Sequence, residues 1–130
     1  MSVVGRARTA PRHVEKPWGW ELVWAETSAY VGKLLFVRAG QSLSLQYHEV
    51  KDEAWYVQSG RATLELATVG DESSSHTVEI AAGDAFHFVP RTIHRVTAIE
   101  DLTVLEVSTP HLEDVVRLED RYGREGTSAP

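Results

Sequence analysis

From residue 20 onward, apolar and polar side chains alternate in short runs, each stopped by glycine or another turn-forming residue. No other feature of the sequence constrains the fold as tightly as this two-residue period. Residues 42–48 alternate leucine with polar side chains, and residues 61–69 set Ala62, Leu64 and Leu66 on one face and Thr63, Glu65 and Ala67 on the other. That is the pattern of a strand with one face buried. Similar runs occupy residues 31–38, 54–58, 77–80, 85–89, 94–99 and 102–107. Between them stand Ala39-Gly40, Ser59-Gly60, Ala82-Gly83-Asp84 and Glu100-Asp101, while residues 70–75 read as a polar loop. Strands this short and this regularly spaced predict an all-β sandwich or barrel. Only residues 111–121, after Pro110, carry apolar positions at helical spacing, and their β-branched content leaves a strand equally open.

The chain has 130 residues, the size of one domain around one core. Residues 1–15 are polar and aperiodic, which predicts a flexible arm or a strand that pairs with a partner chain. Residues 16–124 form the domain, and residues 125–130 read as a disordered tail. A net charge of −6 argues against nucleic-acid and anionic-membrane partners, although a local basic pocket for a small anion remains compatible with it. There is no cysteine, which excludes disulfides, thiolate metal sites and thiol nucleophiles. Any metal must therefore be held by nitrogen and oxygen. No apolar run reaches the length of a membrane span, and the N-terminus lacks an apolar signal core, so the expected location is cytoplasmic.

Against that background, four side chains stand out: Gln46, His48, Glu53 and His94. Gln46 and His48 are two residues apart in a strand pattern and share a face. Glu53 follows a short turn, which could return its carboxylate beside His48. His94 opens a distant strand and could close the set from an opposite wall. Imidazole, carboxylate and amide donors suit zinc, manganese, iron, nickel or cobalt. A histidine taken alone is more often structural than ligating, and the weight rests on the joint spacing. His13, His76, His87 and His111 are read as non-ligands, and Trp18, Trp20, Trp24 and Trp55 as core or interface residues, with Trp55 also able to wall a pocket.

The spacing Gly40-x5-Gln46-x-His48-x4-Glu53-x6-Gly60 resembles the first motif of the cupin superfamily, with glutamine in place of the first histidine. Gly83 through His94 resembles the second motif, with Val89 and Arg91 where proline and glycine are usual. The resemblance implies a cupin-type double-stranded β-helix, a jelly-roll barrel. More narrowly, the chain resembles the cupin domain of type II mannose-6-phosphate isomerases. The likeness is carried by Lys16-Pro17-Trp18-Gly19, by Leu43 to His48, by Glu53-Ala54-Trp55 and by the run Glu113 to Arg124. In that family the domain often follows a GDP-mannose pyrophosphorylase. By the same resemblance, Gln46, His48, Glu53 and His94 bind a divalent metal. Lys51 stands where arginine is usual and Ala54 where histidine is usual. A histidine-rich stretch normally present after His48 is replaced by Glu49-Val50-Lys51.

These implications define an expected function: metal-dependent aldose–ketose isomerisation of a sugar phosphate, with mannose 6-phosphate and fructose 6-phosphate as the pair. A cation would stabilise the enediolate, and a base must move the proton. Glu49, His87 and Lys33 are the candidate bases, although Glu49, next to His48, should face the other side of its strand. Arg117 leads the candidate phosphate ligands, ahead of Lys16, Lys51, Arg91 and Arg95. A sugar or sugar phosphate is the expected small-molecule partner, and a homodimer the expected assembly. The rival functions are a non-catalytic metal- or sugar-binding cupin and an iron-dependent dioxygenase.

Overall fold

The computed structural model describes residues 2–126. A five-residue helix, α1 (Val3–Ala7), is capped by the Ser2 hydroxyl, which accepts from the Gly5 N–H at 3.0 Å. Eleven strands follow: β1 (Arg12–Lys16), β2 (Gly19–Glu26), β3 (Val31–Val37), β4 (Leu45–Tyr47), β5 (Glu53–Ser59), β6 (Arg61–Thr68), β7 (Asp71–Ala81), β8 (Ala85–Phe88), β9 (Thr92–Ala98), β10 (Leu102–Ser108) and β11 (Val116–Glu119). They form two antiparallel sheets, a six-stranded one in the order β1-β2-β3-β10-β5-β8 and a five-stranded one in the order β11-β4-β9-β6-β7. The alternation predicts a sandwich or barrel, and this is the jelly-roll arrangement that the cupin resemblance implies.

The two-residue period decides which side chains meet between the sheets. In β10, Leu102, Val104, Glu106 and Ser108 are buried while Leu105 and Val107 are exposed. In β6, Ala62 and Leu64 point in, joined by Val96 and Ala98 from β9. With Trp18, Leu35, Val37, Val57, Ile80 and Phe88 they make one continuous core. Two glycines are dictated by close approach. A Cβ on Gly19 would lie 1.9 Å from the Phe36 carbonyl oxygen, and one on Gly60 would lie 2.2 Å from that of Asp101. The Pro17-Trp18-Gly19 turn thus lets β2 run tightly beside β3 while Trp18 goes into the core.

The boundaries differ from the sequence expectation in places. Residues 12–15, assigned to the arm, join Lys16 in β1 and pair with β2 of their own chain, Val14 opposite Glu21. Residues 2–11 are exposed. The segment at 70–75 is not a long loop, because β7 begins at Asp71 and leaves a tight hairpin at Val69-Gly70. In residues 111–121, turns at 112–113 lead into β11, which pairs with β4. Of the expected tail, Glu125 and Gly126 fold back on β11 and its extension, Glu125 Oε1 accepting from the Asp120 N–H at 3.2 Å and Gly126 N–H donating to the Arg117 carbonyl at 3.3 Å. Residues 127–130 lie outside the described residues. Among the described residues, no helix is long and apolar enough to cross a membrane.

Candidate metal centre and pocket

A pocket of about 550 Å3, counted with its open mouth, lies between the sheets. His48 follows β4, Glu53 opens β5 in the other sheet, and His94 is on β9, all of them buried. His94 does not come from an opposite wall. Its strand adjoins β4, and it stands directly across from Gln46 in register, so Glu53 is the residue that reaches over from the second sheet. His94 Nε2 lies 3.0 Å, and His48 Nε2 3.6 Å, from Glu53 Oε1. One donor atom from each of the three residues lies within 4.8 Å of the others.

The other nitrogen of each imidazole decides what these atoms are. His94 Nδ1 lies 2.9 Å from the Thr92 carbonyl oxygen, and His48 Nδ1 meets the carbonyl oxygen of Asp114. A carbonyl only accepts, so each Nδ1 must carry a proton, which leaves each Nε2 facing Glu53 Oε1. All three atoms are buried without a hydrogen bond of good geometry. Two imidazole nitrogens and a carboxylate oxygen turned to one spot are a donor set that fits a divalent metal held by nitrogen and oxygen. Phe88 stacks on His94 at 4.4 Å with a 4° interplanar angle, and the Trp55 edge meets the ring at 5.9 Å, which locks its orientation.

Gln46 lines the same pocket, and its Oε1 accepts the Ser44 hydroxyl at 2.6 Å. Lys51 bridges Glu53 at 2.9 Å and Glu106 at 3.4 Å, and Glu106 also accepts from Trp55 Nε1 at 3.0 Å. Burial alone would raise the Glu53 carboxyl, but the Lys51 ammonium, followed by the His48 and His94 side chains, overrides it and holds the group well below the ordinary carboxylate range. Burial would likewise lower Lys51, and the carboxylates of Glu106 and Glu53 more than compensate, so it is held above the usual lysine range.

Further toward the mouth, Glu21 sits between two lysines, 3.2 Å from Lys33 and 3.5 Å from Lys16, with all three side chains buried. Burial lowers Lys16 from its ordinary value, with Glu21 opposing the shift and Lys33 and Arg124 adding to it. Arg117, opposite Gln46 in register, and Arg124 bring positive charge from the tail. Arg117 is lowered by burial and by Arg124, with Asp120 opposing. Five cationic side chains line the pocket, Lys16, Lys33, Lys51, Arg117 and Arg124, against the three carboxylates Glu21, Glu53 and Glu106. The lining therefore favours an anionic guest.

Two of the nominated bases lie elsewhere. Glu49 is exposed and pairs with Arg91 at 2.8 Å. His87 lies on the outer face of β8, 2.7 Å from Asp52. Neither lines the pocket; Lys33 and Arg117 do. Arg95 is also remote, bound to Glu65 at 2.6 Å. Sequence reasoning missed Glu21, Ser44, Glu106, Asp114 and Arg124. A signal existed for three of them. Glu21 and Glu106 stand at inward positions of alternating strands, and Ser44 shares a face with Gln46 and His48.

Residues 34–108 match the cupin domain family. The chain belongs to the cupin family. It is 35% identical over 122 residues to "Mannose-1-phosphate guanylyltransferase ManC" of Salmonella typhimurium, a match that covers 87% of this chain and 23% of that protein. It is 32% identical over 119 residues to "Xanthan biosynthesis protein XanB" of Xanthomonas campestris, covering 87% and 24%. The chain thus spans about a quarter of the length of these relatives. Among solved structures, the capsular polysaccharide assembling protein CapF from Staphylococcus aureus superposes with a TM-score of 0.72 at 13% identity, covering 89% of this chain and 34% of that one. Bacillus subtilis oxalate decarboxylase, described with Mn(II) centres, gives 0.68 at 22%, covering 82% and 29%. These structural likenesses establish the fold.

Proposed function

We propose that this cupin is a metal-dependent aldose–ketose isomerase for a sugar phosphate, with mannose 6-phosphate and fructose 6-phosphate as the pair. The observation that carries the reading is the convergence of the His48, Glu53 and His94 donor atoms beside a pocket whose lining is cationic in balance. Three relatives are named mannose-1-phosphate guanylyltransferases, which supports a mannose phosphate as guest.

Gln46, His48, Glu53 and His94 would hold the ion. When bound, a divalent cation supplies positive charge against the substrate oxygen that becomes negative as the proton leaves carbon. The remaining work falls to the chain. Isomerisation needs a group that takes a proton from one carbon and returns it to its neighbour. Of the three bases nominated from sequence, Lys33 alone lines the pocket; its ammonium donates to Glu21, so the group of this pair with lone pairs to receive a proton is the Glu21 carboxylate. Arg117, Arg124 and Lys16 offer the charge that a phosphate needs. Trp18, Trp55, Leu43 and Val115 exclude water from the inner wall.

A second reading, a metal- and sugar-binding module without turnover, is favoured by the position of Glu49 and His87 outside the pocket. One experiment separates the two. The purified chain is assayed with mannose 6-phosphate and fructose 6-phosphate, after chelation and after restoring single divalent metals, with oxygen uptake followed in parallel. Interconversion that chelation abolishes and metal restores supports the isomerase. Stoichiometric metal with no interconversion of either sugar would falsify it in favour of the binding module, and iron-dependent oxygen uptake would point to a dioxygenase.

A further inference from the structure

Glu53 divides its two oxygens between different partners. Oε1 faces Nε2 of His94 at 3.0 Å and Nε2 of His48 at 3.6 Å, without a hydrogen bond of good geometry. Oε2 is taken by Lys51, whose ammonium lies 2.9 Å away. Lys51 is itself held at two further points. Its Nζ donates to Glu106 Oε2 at 3.4 Å, and its backbone N–H donates to Asp114 Oδ2 at 2.8 Å. Glu106 stands across from Trp55 in register between β10 and β5, and its Oε1 accepts the indole N–H at 3.0 Å. The Trp55 and His94 rings meet at 87°, 5.9 Å apart, which closes the path back to Glu53. The five side chains of this circuit, Glu53, Lys51, Glu106, Trp55 and His94, are all buried.

We propose that Lys51 is a positioning residue of the metal centre: by occupying Oε2 it confines Glu53 to ligation through Oε1, and Glu106 with Trp55 keeps Lys51 in that place. The inference rests on the metal reading alone and holds whether or not a sugar is turned over. The first argument is torsional. The last torsion of a glutamate side chain is broad and roughly two-fold, so nothing intrinsic to Glu53 stops its carboxylate from turning both oxygens toward an ion. The Lys51 contact at Oε2 is the restraint that this site supplies. A carboxylate can bind a cation through one oxygen or through both. Held to one, it takes a single coordination position, and the position it leaves is available to a guest, as a catalytic site requires.

The second argument is charge. An ammonium beside a cation site repels the cation, so Lys51 does not serve the metal by attraction. Glu106 offsets that charge from the side away from Glu53 Oε1, and the Lys51–Glu106 pair adds no net charge to the centre. What the pair contributes is placement. The surroundings favour it: the loop that carries Lys51 is tied to Asp114, and Glu106 is fixed by the indole of Trp55, so neither member of the pair is left to drift.

A crystal structure of the full chain loaded with Mn(II) tests it directly. The expected result is an ion on Glu53 Oε1 with Oε2 still on Lys51; both oxygens on the ion overturn the proposal. Electron paramagnetic resonance of the Mn(II)-loaded chain and its variants supplies a second measurement. Lys51→Met strands Glu53 and Glu106 as unpaired buried carboxylates and is liable to misfold. The double variant Lys51→Met/Glu106→Gln removes the pair at constant net charge and leaves Trp55 an acceptor. It should keep its circular dichroism, show a zero-field splitting different from that of the wild type, and bind Mn(II) roughly 10–100-fold more weakly. A weaker affinity with an unchanged spectrum makes the pair structural only and overturns the positioning role while the metal reading stands. A wild type that binds neither Mn(II) nor Zn(II) overturns the metal reading and this inference together.

Discussion

At the scale of single residues, the cluster His48, Glu53 and His94 was legible from its joint spacing, and the buried pairing of Lys33 with Glu21 was not. Alternation sends Glu49 to the side opposite His48, where it meets Arg91. No local pattern could announce that Lys33 and Glu21, on neighbouring strands, would share a hydrogen bond inside the pocket. Within the metal reading, His48→Ala and His94→Ala should each lose bound ion while the strands persist. Elemental analysis beside far-UV circular dichroism checks this, and full metal occupancy in both variants would discard the site. Arg91 carries a separate prediction. It occupies the glycine position of the second cupin motif and holds φ at +69°, the left-handed region. Its side chain has only an exposed partner in Glu49, a pairing worth little. Arg91→Gly removes the steric cost of that conformation but frees the unfolded chain, so stability should stay within about 1 kcal/mol. Arg91→Val keeps the φ requirement and adds a β-branch, and should cost roughly 1–2 kcal/mol more than glycine. Thermal melts that rank valine equal to glycine would show that the backbone relaxes instead.

At the scale of elements, strands with apolar alternation were visible and those defined by distant partners were not. β1 reads Arg-His-Val-Glu-Lys and holds its place as an edge strand through β2, with too little apolar content to declare itself. Residues 111–121 left helix and strand open because the deciding contact is β4, about seventy positions earlier. Asp114 shows why that long-range return matters. Its carboxylate accepts the backbone N–H groups of Glu49, Val50 and Lys51 at 3.1, 2.7 and 2.8 Å, and its carbonyl receives the His48 ring. These bonds overcome burial and hold the carboxyl below its usual range. One tail residue thus fixes the loop between β4 and β5, and with it the relation of His48 to Glu53. Asp114→Ala should lower stability by about 1–3 kcal/mol, since three N–H groups lose their acceptor. The Asp114 carbonyl that meets His48 remains in this variant, so metal affinity should fall, by up to roughly 10–100-fold, only through the loosened loop that carries His48. Unchanged affinity in a destabilised variant would separate the loop from the site.

At the scale of the whole molecule, the two-sheet architecture followed from the period of the sequence, whereas its charge economy had to be seen in three dimensions. The space between the sheets buries Lys33, Lys51, Glu21, Glu53 and Glu106, an arrangement that costs stability unless every member is paired. The tail adds another buried carboxylate. Asp120 takes Arg124 in a two-point grip, Nε to Oδ2 at 2.9 Å and Nη2 to Oδ1 at 3.0 Å, and also accepts the Arg124 N–H at 2.8 Å. Its carboxyl is held below the ordinary range, first by the Arg124 side chain and against the opposing effect of burial. The sign of the pH dependence follows. A carboxyl depressed in the folded state contributes stability that is present above its unfolded value, about 3.9 for aspartate, and is lost as pH falls through the depressed folded value. Glu53, Glu65 and Asp114 are depressed in the same direction, so all four should give way on acidification. The melting temperature should therefore be nearly level through mildly acidic pH and drop below about pH 4. Asp120→Asn isolates one contributor. It should melt lower than the wild type at neutral pH, and the gap should close as the wild-type carboxyl protonates, because a neutral acid and an amide then face the same guanidinium. A gap that holds constant down to the acid limb would assign the contribution of Asp120 to shape and hydrogen bonding and remove its charge from the account.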